Sequence, residues 1–243
     1  MDQHARAALA AAIVEAFETG LPITPIPPGL GPADADTGEA IAELALDMLG
    51  AAPCGLRLVL QPDGGARIGP MLDSRLLRDD ASLPVAALRH ARISAAAVGV
   101  LGEALDPAAA TPPVLAGVHA ALDIATSRFR DGAGGVGEEA ADLGGLGYVV
   151  IGRRGALPAG AITASCAVEP KRPRGVPVDL AAAFAAAAGA ARGLGGLPAG
   201  GLLVVAGLTP PALPSGGQDW TARLRGFGRA RVRLAEAPAP APA

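Results

Sequence analysis

Aromatic side chains are nearly absent from this chain: one Trp, one Tyr and four Phe in 243 residues, although hydrophobic residues make up 51% of it. A core without large rings has to be filled by Ala, Leu and Val, and small side chains fill space only where backbones approach closely. The 34 Gly and 23 Pro divide the chain into short elements. The apolar content excludes a disordered polymer, and the length suits one large domain or two small ones. The abundance of Ala, Gly and Pro also matches a GC-rich bacterial coding bias.

The formal net charge is −3, so there is no basic surplus to neutralise phosphates and nucleic acid is not an expected partner. Cys54 and Cys166 are too few for a disulfide framework, which points to a reducing cytoplasm. The N-terminal apolar stretch from Ala7 to Phe17 carries Glu15, unlike a signal peptide. The longest charge-free run, Gly193 to Gln218, is broken by Gly and Pro and makes a poor membrane helix.

Leu9, Ile13 and Phe17 recur at four-residue spacing and predict a helix over 2–19, with Gly20 as its stop. The Pro-rich 22–32 segment reads as extended. A second helix follows over 34–49, with Ile41, Leu44, Ala45 and Met48 as its buried stripe and Asp36-Thr37 as its cap. Strands are expected at 55–60, 92–101, 122–125, 144–152, 161–168 and 202–206. Helices are expected at 113–121 and 180–194. Residues 220–234 alternate around Gly226 and Gly228, and the Ala/Pro tail 236–243 should be disordered or polyproline-like.

There is no internal repeat, no Walker loop and no dinucleotide fingerprint. Gly144, Gly145 and Gly147 open a strand, a weak setting for a phosphate cradle. Helices first, then mixed strands, then a strand-rich end indicate an α+β fold with a mostly antiparallel or mixed sheet. It divides into an N-terminal helical region (1–52), a β-rich core (53–235) and the tail (236–243).

Three collinear stretches carry a family likeness. Leu197-Pro198-Ala199-Gly200, then Leu202 to Pro211 (LLVVAGLTPP) and Gly226 to Leu234 (GFGRARVRL), are similar to "L-x-x-G-D-x-V-L-S-G-S-L-T-P-P" and "G-L-G-S-V-S-V-R-F". His119 to Phe129 (HAALDIATSRF) is similar to "H-P-A-L-E-I-V-D-S-R-F", and residues 142–152 follow as a trace of "D-N-A-S-x-G-x-x-x-L-G". Gly55-Leu56-Arg57-Leu58 stands in the place of "G-Y-K-I-G-L-T", and Gly69 to Asp73 (GPMLD) is similar to "G-P-L-L-D-D-M". Over roughly residues 5–234 the chain resembles the 2-keto-4-pentenoate hydratase family, with its 2-oxohepta-3-ene-1,7-dioate hydratases and 4-oxalocrotonate decarboxylases. The resemblance implies a mixed β-roll of the fumarylacetoacetate hydrolase type with N-terminal helices, and a homo-oligomer.

It also implies chemistry on a small 2-oxo or 2-hydroxydienoic acid, with Mg²⁺ or Mn²⁺ acting as a Lewis acid on the substrate oxygen. The chain departs from the family at the positions that hold this ion. Ser94 and Ala96 stand where "V-E-A-E-I" supplies carboxylates, and Asp123 replaces the Glu of "A-L-E-I". Arg57 replaces a Lys; it can pin a carboxylate but cannot shuttle a proton. Val176 stands for the His of "G-H-P", and only Asp142 is kept from "D-N-A-S".

The candidate site is therefore Arg57 and Asp73 as catalytic groups, with Ser94, Asp123, Arg128, Asp142 and Thr209 as substrate-binding groups and no metal ligands. No cofactor is expected, or Mg or Mn should the site still function. Each candidate has a structural alternative: Arg57 in a salt bridge, Asp73 and Thr209 in turns, Arg128 paired with Asp123 or Asp142. His4, His90 and His119 lack metal spacing, the cysteines lack a neighbour that would favour a thiolate, and Lys171-Arg172-Pro173-Arg174 reads as a solvated loop or an oligomer contact. The expected function is a divergent hydratase-like protein, a hydro-lyase or decarboxylase with a degenerate metal site. The alternative is an inactive homologue that binds a small acid or serves as a scaffold or partner subunit of an active family member.

Overall fold

A computed structural model describes residues 1–236; the Ala/Pro tail beyond Glu236 lies outside them. Two helices open the chain, α1 (Gln3–Thr19) and α2 (Ala35–Leu49). Each starts where an Asp carboxylate accepts an orphan backbone N–H. Asp2 takes Ala5 N at 2.8 Å and Asp34 takes Thr37 N at 2.8 Å, so Asp34 caps α2 and the Asp36-Thr37 expectation is corrected by two residues. Each ends on a left-handed glycine, Gly20 and Gly50.

The strands are β1 (Gly55–Leu60), β2 (Ala66–Met71), β3 (Leu76–Arg78), β4 (Ala81–Pro84), β5 (Arg92–Leu101), β6 (Leu115–Ala125), β7 (Tyr148–Gly155), β8 (Ile162–Val168), β9 (Val176–Val178), β10 (Leu202–Ala206), β11 (Gln218–Leu224) and β12 (Gly228–Ala235). Helix α3 (Val136–Ala141) follows β6 and α4 (Leu180–Gly193) follows β9. They form a seven-stranded sheet in the order β2-β1-β10-β5-β6-β7-β3 and a five-stranded sheet in the order β4-β12-β11-β8-β9. Most pairs are antiparallel; β1 with β10, β3 with β7 and β4 with β12 are parallel. The expected α+β class with mixed sheets holds.

The main core lies between the sheets and under α4. Leu56, Leu58, Ile93, Leu122, Phe184, Leu203, Trp220 and Val232 belong to it. The opposite face of the larger sheet carries Ala96, Val98, Ala121, Val149 and Val204, packed with Met71, Leu143 and Leu146. A third cluster joins α1, α2 and α3 through Leu9, Ile13, Ile41, Ala45 and Ala141.

Further expectations fail. Residues 115–125 form one strand, not a helix followed by a strand, because β5 and β7 hydrogen-bond it on both sides; long-range pairing overrides the indifferent local preference of an Ala-rich run. The buried stripe of α2 is Gly38, Ile41, Ala42 and Ala45, while Leu44 is 37% and Met48 49% exposed. The helix turns its small residues inward, as close packing without aromatics demands. The short strands β2, β3, β4 and β9 had no clear sequence signal, and the strand expected from Gly144 begins at Tyr148, with residues 143–145 forming a tight turn instead.

No helix among the described residues is long and apolar enough to cross a membrane.

Candidate functional site: a buried arginine–aspartate pair in a polar cavity

Alternation along β1 sends Leu56 and Leu58 into the main core and Arg57 to the other face of the sheet. There Arg57 meets Asp123 of β6, with β10 and β5 between their strands. Nε donates to Asp123 Oδ1 at 2.7 Å, Nη2 donates to Oδ2 at 2.7 Å, and Nη1 donates to the carbonyl of Gly144 at 2.9 Å. Arg57 is 1% and Asp123 2% exposed. Desolvating two charges costs several kcal/mol per ion, and only a bidentate, fully hydrogen-bonded geometry of this kind offsets it.

Gly144 is needed where it stands. Its φ is +63°, and a Cβ would lie 2.6 Å from the carbonyl oxygen of Ile68. The glycine run that resembled a poor phosphate cradle is the tight turn that aims this carbonyl at Arg57.

Ser94 of β5 lies opposite Asp123 in register. Its Oγ accepts the N–H of Gly207 at 3.1 Å. These groups line a cavity of about 300 Å³ that Arg67, His90, Arg92, Glu139 and Asp142 also border. Arg67 pairs with Glu139 at 3.0 Å. Burial pushes the Glu139 carboxyl above the ordinary carboxylate range; Arg67 pulls it back and Asp142 pushes it further up. His90 Nε2 lies 2.7 Å from the carbonyl of Arg130, so Nε2 carries the proton and donates, because a carbonyl only accepts. Arg92 is exposed and has no ion-pair partner among the described residues.

The other expected site residues have structural places. Asp142 pairs with Arg128 at 2.8 Å, and Arg128 also donates to the carbonyls of Asp142 and Leu146 at 3.1 and 2.7 Å. This knot ties the end of β6 to the end of α3 and excludes the Arg128–Asp123 pairing. Thr209 Oγ1 accepts the N–H of Ala95 at 3.0 Å, so Thr209 extends the pairing of β5 beyond the end of β10. Asp73 sits exposed in the turn Asp73–Arg75 and does not border the Arg57 cavity. His119 Nδ1 lies 3.1 Å from the carbonyl of Gly152, and Lys171 to Arg174 are exposed.

Sequence reasoning missed Glu139, Arg92 and the backbone groups of Gly144 and Gly207. The paired Glu138-Glu139 on a short helix gave no local reason to expect a cavity acid.

The donors do not suit a hard divalent cation, which needs several oxygen ligands. Both oxygens of Asp123 are engaged by Arg57, the Ser94 hydroxyl is neutral, and Ala96 contributes a methyl to the apolar cluster below the pair. No group of three or more His, Cys, Asp or Glu that could hold a metal occurs among the described residues.

Burial pushes both cysteine thiols up to about 12, with Asp73 adding to the effect at Cys54 and Asp123 at Cys166. At pH 8 the thiolate fraction is then about one part in ten thousand. Neither cysteine of the folded protein is expected to react measurably with a disulfide reagent such as dithiobis-nitrobenzoate over an hour, while both react promptly in denaturant. Fast labelling of the native protein would contradict this environment.

Comparison with solved structures decides the architecture. A 4-oxalocrotonate decarboxylase from Pseudomonas putida G7, complexed with magnesium and adipate, superposes with a TM-score of 0.78 at 16% identity, over 96% of this chain and 98% of that one. The fold is of the fumarylacetoacetate hydrolase type. A fumarylpyruvate hydrolase from Pseudomonas aeruginosa in complex with Mn²⁺ and pyruvate is similar at TM-score 0.59 and 13% identity, over 75% of this chain and 89% of that one. A 2-hydroxyhepta-2,4-diene-1,7-dioate isomerase from Mycobacterium marinum is similar at 0.56 and 12%, over 76% and 77%. No protein-family model matches the sequence, and no curated protein does. The likeness is one of backbone architecture, and the β-roll expected from the motifs is present. Divalent metals are bound in the decarboxylase and hydrolase structures, whereas here the Arg57–Asp123 pair engages the acidic residue that the resemblance offered as a remaining ligand.

Proposed function

We propose that this hydratase-like protein binds a small carboxylic acid in the Arg57 cavity without a divalent cation, and that the metal-dependent lyase or decarboxylase step has lapsed. One observation carries the reading: the Arg57 guanidinium is buried, is anchored by Asp123, and still has N–H donors that its three contacts leave unused. Arg57 borders the cavity, and in this reading an entering acid meets those donors. Arg92 at the same cavity adds a second positive charge.

Asp123 balances the charge of Arg57, so what the pair offers an entering acid is fixed hydrogen-bond donors and not a metal's charge or open coordination positions. The solved structures that resemble the chain hold adipate and pyruvate, and both are small carboxylates.

The test is calorimetric titration of pyruvate and of adipate into the purified protein, first in EDTA and then with Mg²⁺ or Mn²⁺, beside a dienoate hydration assay. Expected are saturable binding of at least one acid in EDTA, an affinity within about twofold on adding metal, and no turnover. Stoichiometric metal in the purified protein with metal-dependent turnover would overturn the reading.

A further inference from the structure

Thr126 and Ser127 border a second cavity, of about 510 Å³, as well as the first. Its walls come from the end of α1, the turn after β2 and the start of β7. Arg75 leans its guanidinium over the ring of Phe17, with Cζ 3.8 Å from the centroid, and lies 5.0 Å from the centroid of Tyr148. Arg128 approaches the same Phe17 ring at 4.9 Å. Arg89 joins them on the cavity wall, and Glu18 is the one acidic residue there.

The Phe17 ring covers a flat face of the Arg75 guanidinium. Its five N–H donors lie in the plane, at the edge: the Tyr148 hydroxyl engages that edge, Nη2 reaches the carbonyl of Phe17 at 3.5 Å, the limit of a hydrogen bond, and the other donors stay free. Arg89 donates from Nη2 to the carbonyl of Gly20 at 3.1 Å. Neither Arg75 nor Arg89 has a carboxylate partner among the described residues, in contrast with Arg57, Arg67 and Arg128. Two uncompensated guanidinium groups thus face one cavity beside a third that is already paired, in a chain whose net charge is negative. Partial burial and the nearby Arg128 both make the charge on Arg75 costly, partly offset by Tyr148.

We infer that this cavity is a binding site for a small oxyanion of the carboxylate or phosphate type, held by the in-plane donors of Arg75 and by Arg89. A planar guanidinium with free edge donors matches two oxygens of such a group, and aromatic stacking fixes its orientation beforehand. The site is separate from the Arg57 cavity, though Arg128 borders it and is bonded to Asp142, which borders the other.

Inorganic phosphate is the probe, titrated calorimetrically at constant ionic strength set with sodium chloride; sodium acetate, titrated into wild type and Arg89→Gln so that any carboxylate binding in the Arg57 cavity is subtracted, forms a second arm that separates carboxylate from phosphate preference. The expected result is saturable binding of one phosphate per chain, weakened at least tenfold in Arg75→Gln and in Arg89→Gln and unchanged in Arg92→Gln, which alters only the first cavity. Arg89 has a single side-chain contact, so its variant carries the test should Arg75→Gln fail to fold. Three outcomes overturn the inference: no saturable heat with either anion, phosphate affinity within twofold of wild type in Arg89→Gln, or loss confined to Arg92→Gln.

Discussion

Arg57→Met is expected to destabilise the protein by about 3–5 kcal/mol, a fall in Tm of roughly 10 °C for a chain of this size. The variant leaves the Asp123 carboxylate buried at 2% exposure with no cation beside it. The double variant Arg57→Met/Asp123→Leu should recover most of that loss, because it removes the stranded charge as well as its partner. The Arg233–Asp219 pair, at 3.0 Å with side chains 68% and 35% exposed, is the control: breaking it should leave the urea midpoint close to that of the wild type. Urea denaturation at pH 7 measures all of these. A loss below about 1 kcal/mol for Arg57→Met would mean that water or another cation already compensates Asp123, and the proposal of a self-contained pair would fall with it.

Gly152→Ala comes next in size, at about 3 kcal/mol or more. An added Cβ would sit 1.9 Å from the carbonyl oxygen of Arg229 and 3.0 Å from that of Ala120. Arg229 belongs to β12 in one sheet and Ala120 to β6 in the other, so the methyl group would be wedged where the two sheets touch. Both obstacles are backbone, which cannot rotate away as a side chain can. The register of β6 against β7 slips at this place, between His119 and Ala121, and the Gly152 carbonyl is the group that His119 meets. Gly189→Ala on the exposed side of α4, where a Cβ meets nothing within 4 Å, should instead stabilise by about 0.5–1 kcal/mol. Equal effects at the two glycines in thermal unfolding would remove close sheet contact as the reason for Gly152.

Several elements could be read from local pattern because local forces form them. The apolar repeat of α1, the glycine stops of α1 and α2, and the Leu/Val run of β10 gave their own evidence; β5 is Ala-rich and open to either reading, and Ile93, Val98 and Val100 with Gly102 after them favoured the strand. The motif order along the chain carried the architecture too, since a fold with twelve strands keeps its packing residues after its chemistry has changed. What local pattern could not give was partnership. Residues 115–125 are Ala-rich and locally indifferent, and became a strand because two neighbours demanded it. Leu44 and Met48 matched a helical stripe, yet the small residues beside them gave α2 its closer fit.

The same division holds at the site. The residues at 57, 94, 96 and 123 showed in the sequence itself that carboxylates of the family's ion-binding motifs are missing; that Glu139 and Asp142 border the same cavity as Asp123 is a matter of the fold. That Arg57 grips Asp123, that Arg128 belongs to Asp142, that Asp73 lies outside the cavity and Glu139 on its edge, are facts of distance between strands far apart in the chain. Arg57 and Asp123 stand 66 positions apart. Composition decided that this core would be built from small side chains in close contact. Only the folded sheets decided which buried charges met, because pairing two desolvated ions depends on ångström geometry that no local run of residues encodes.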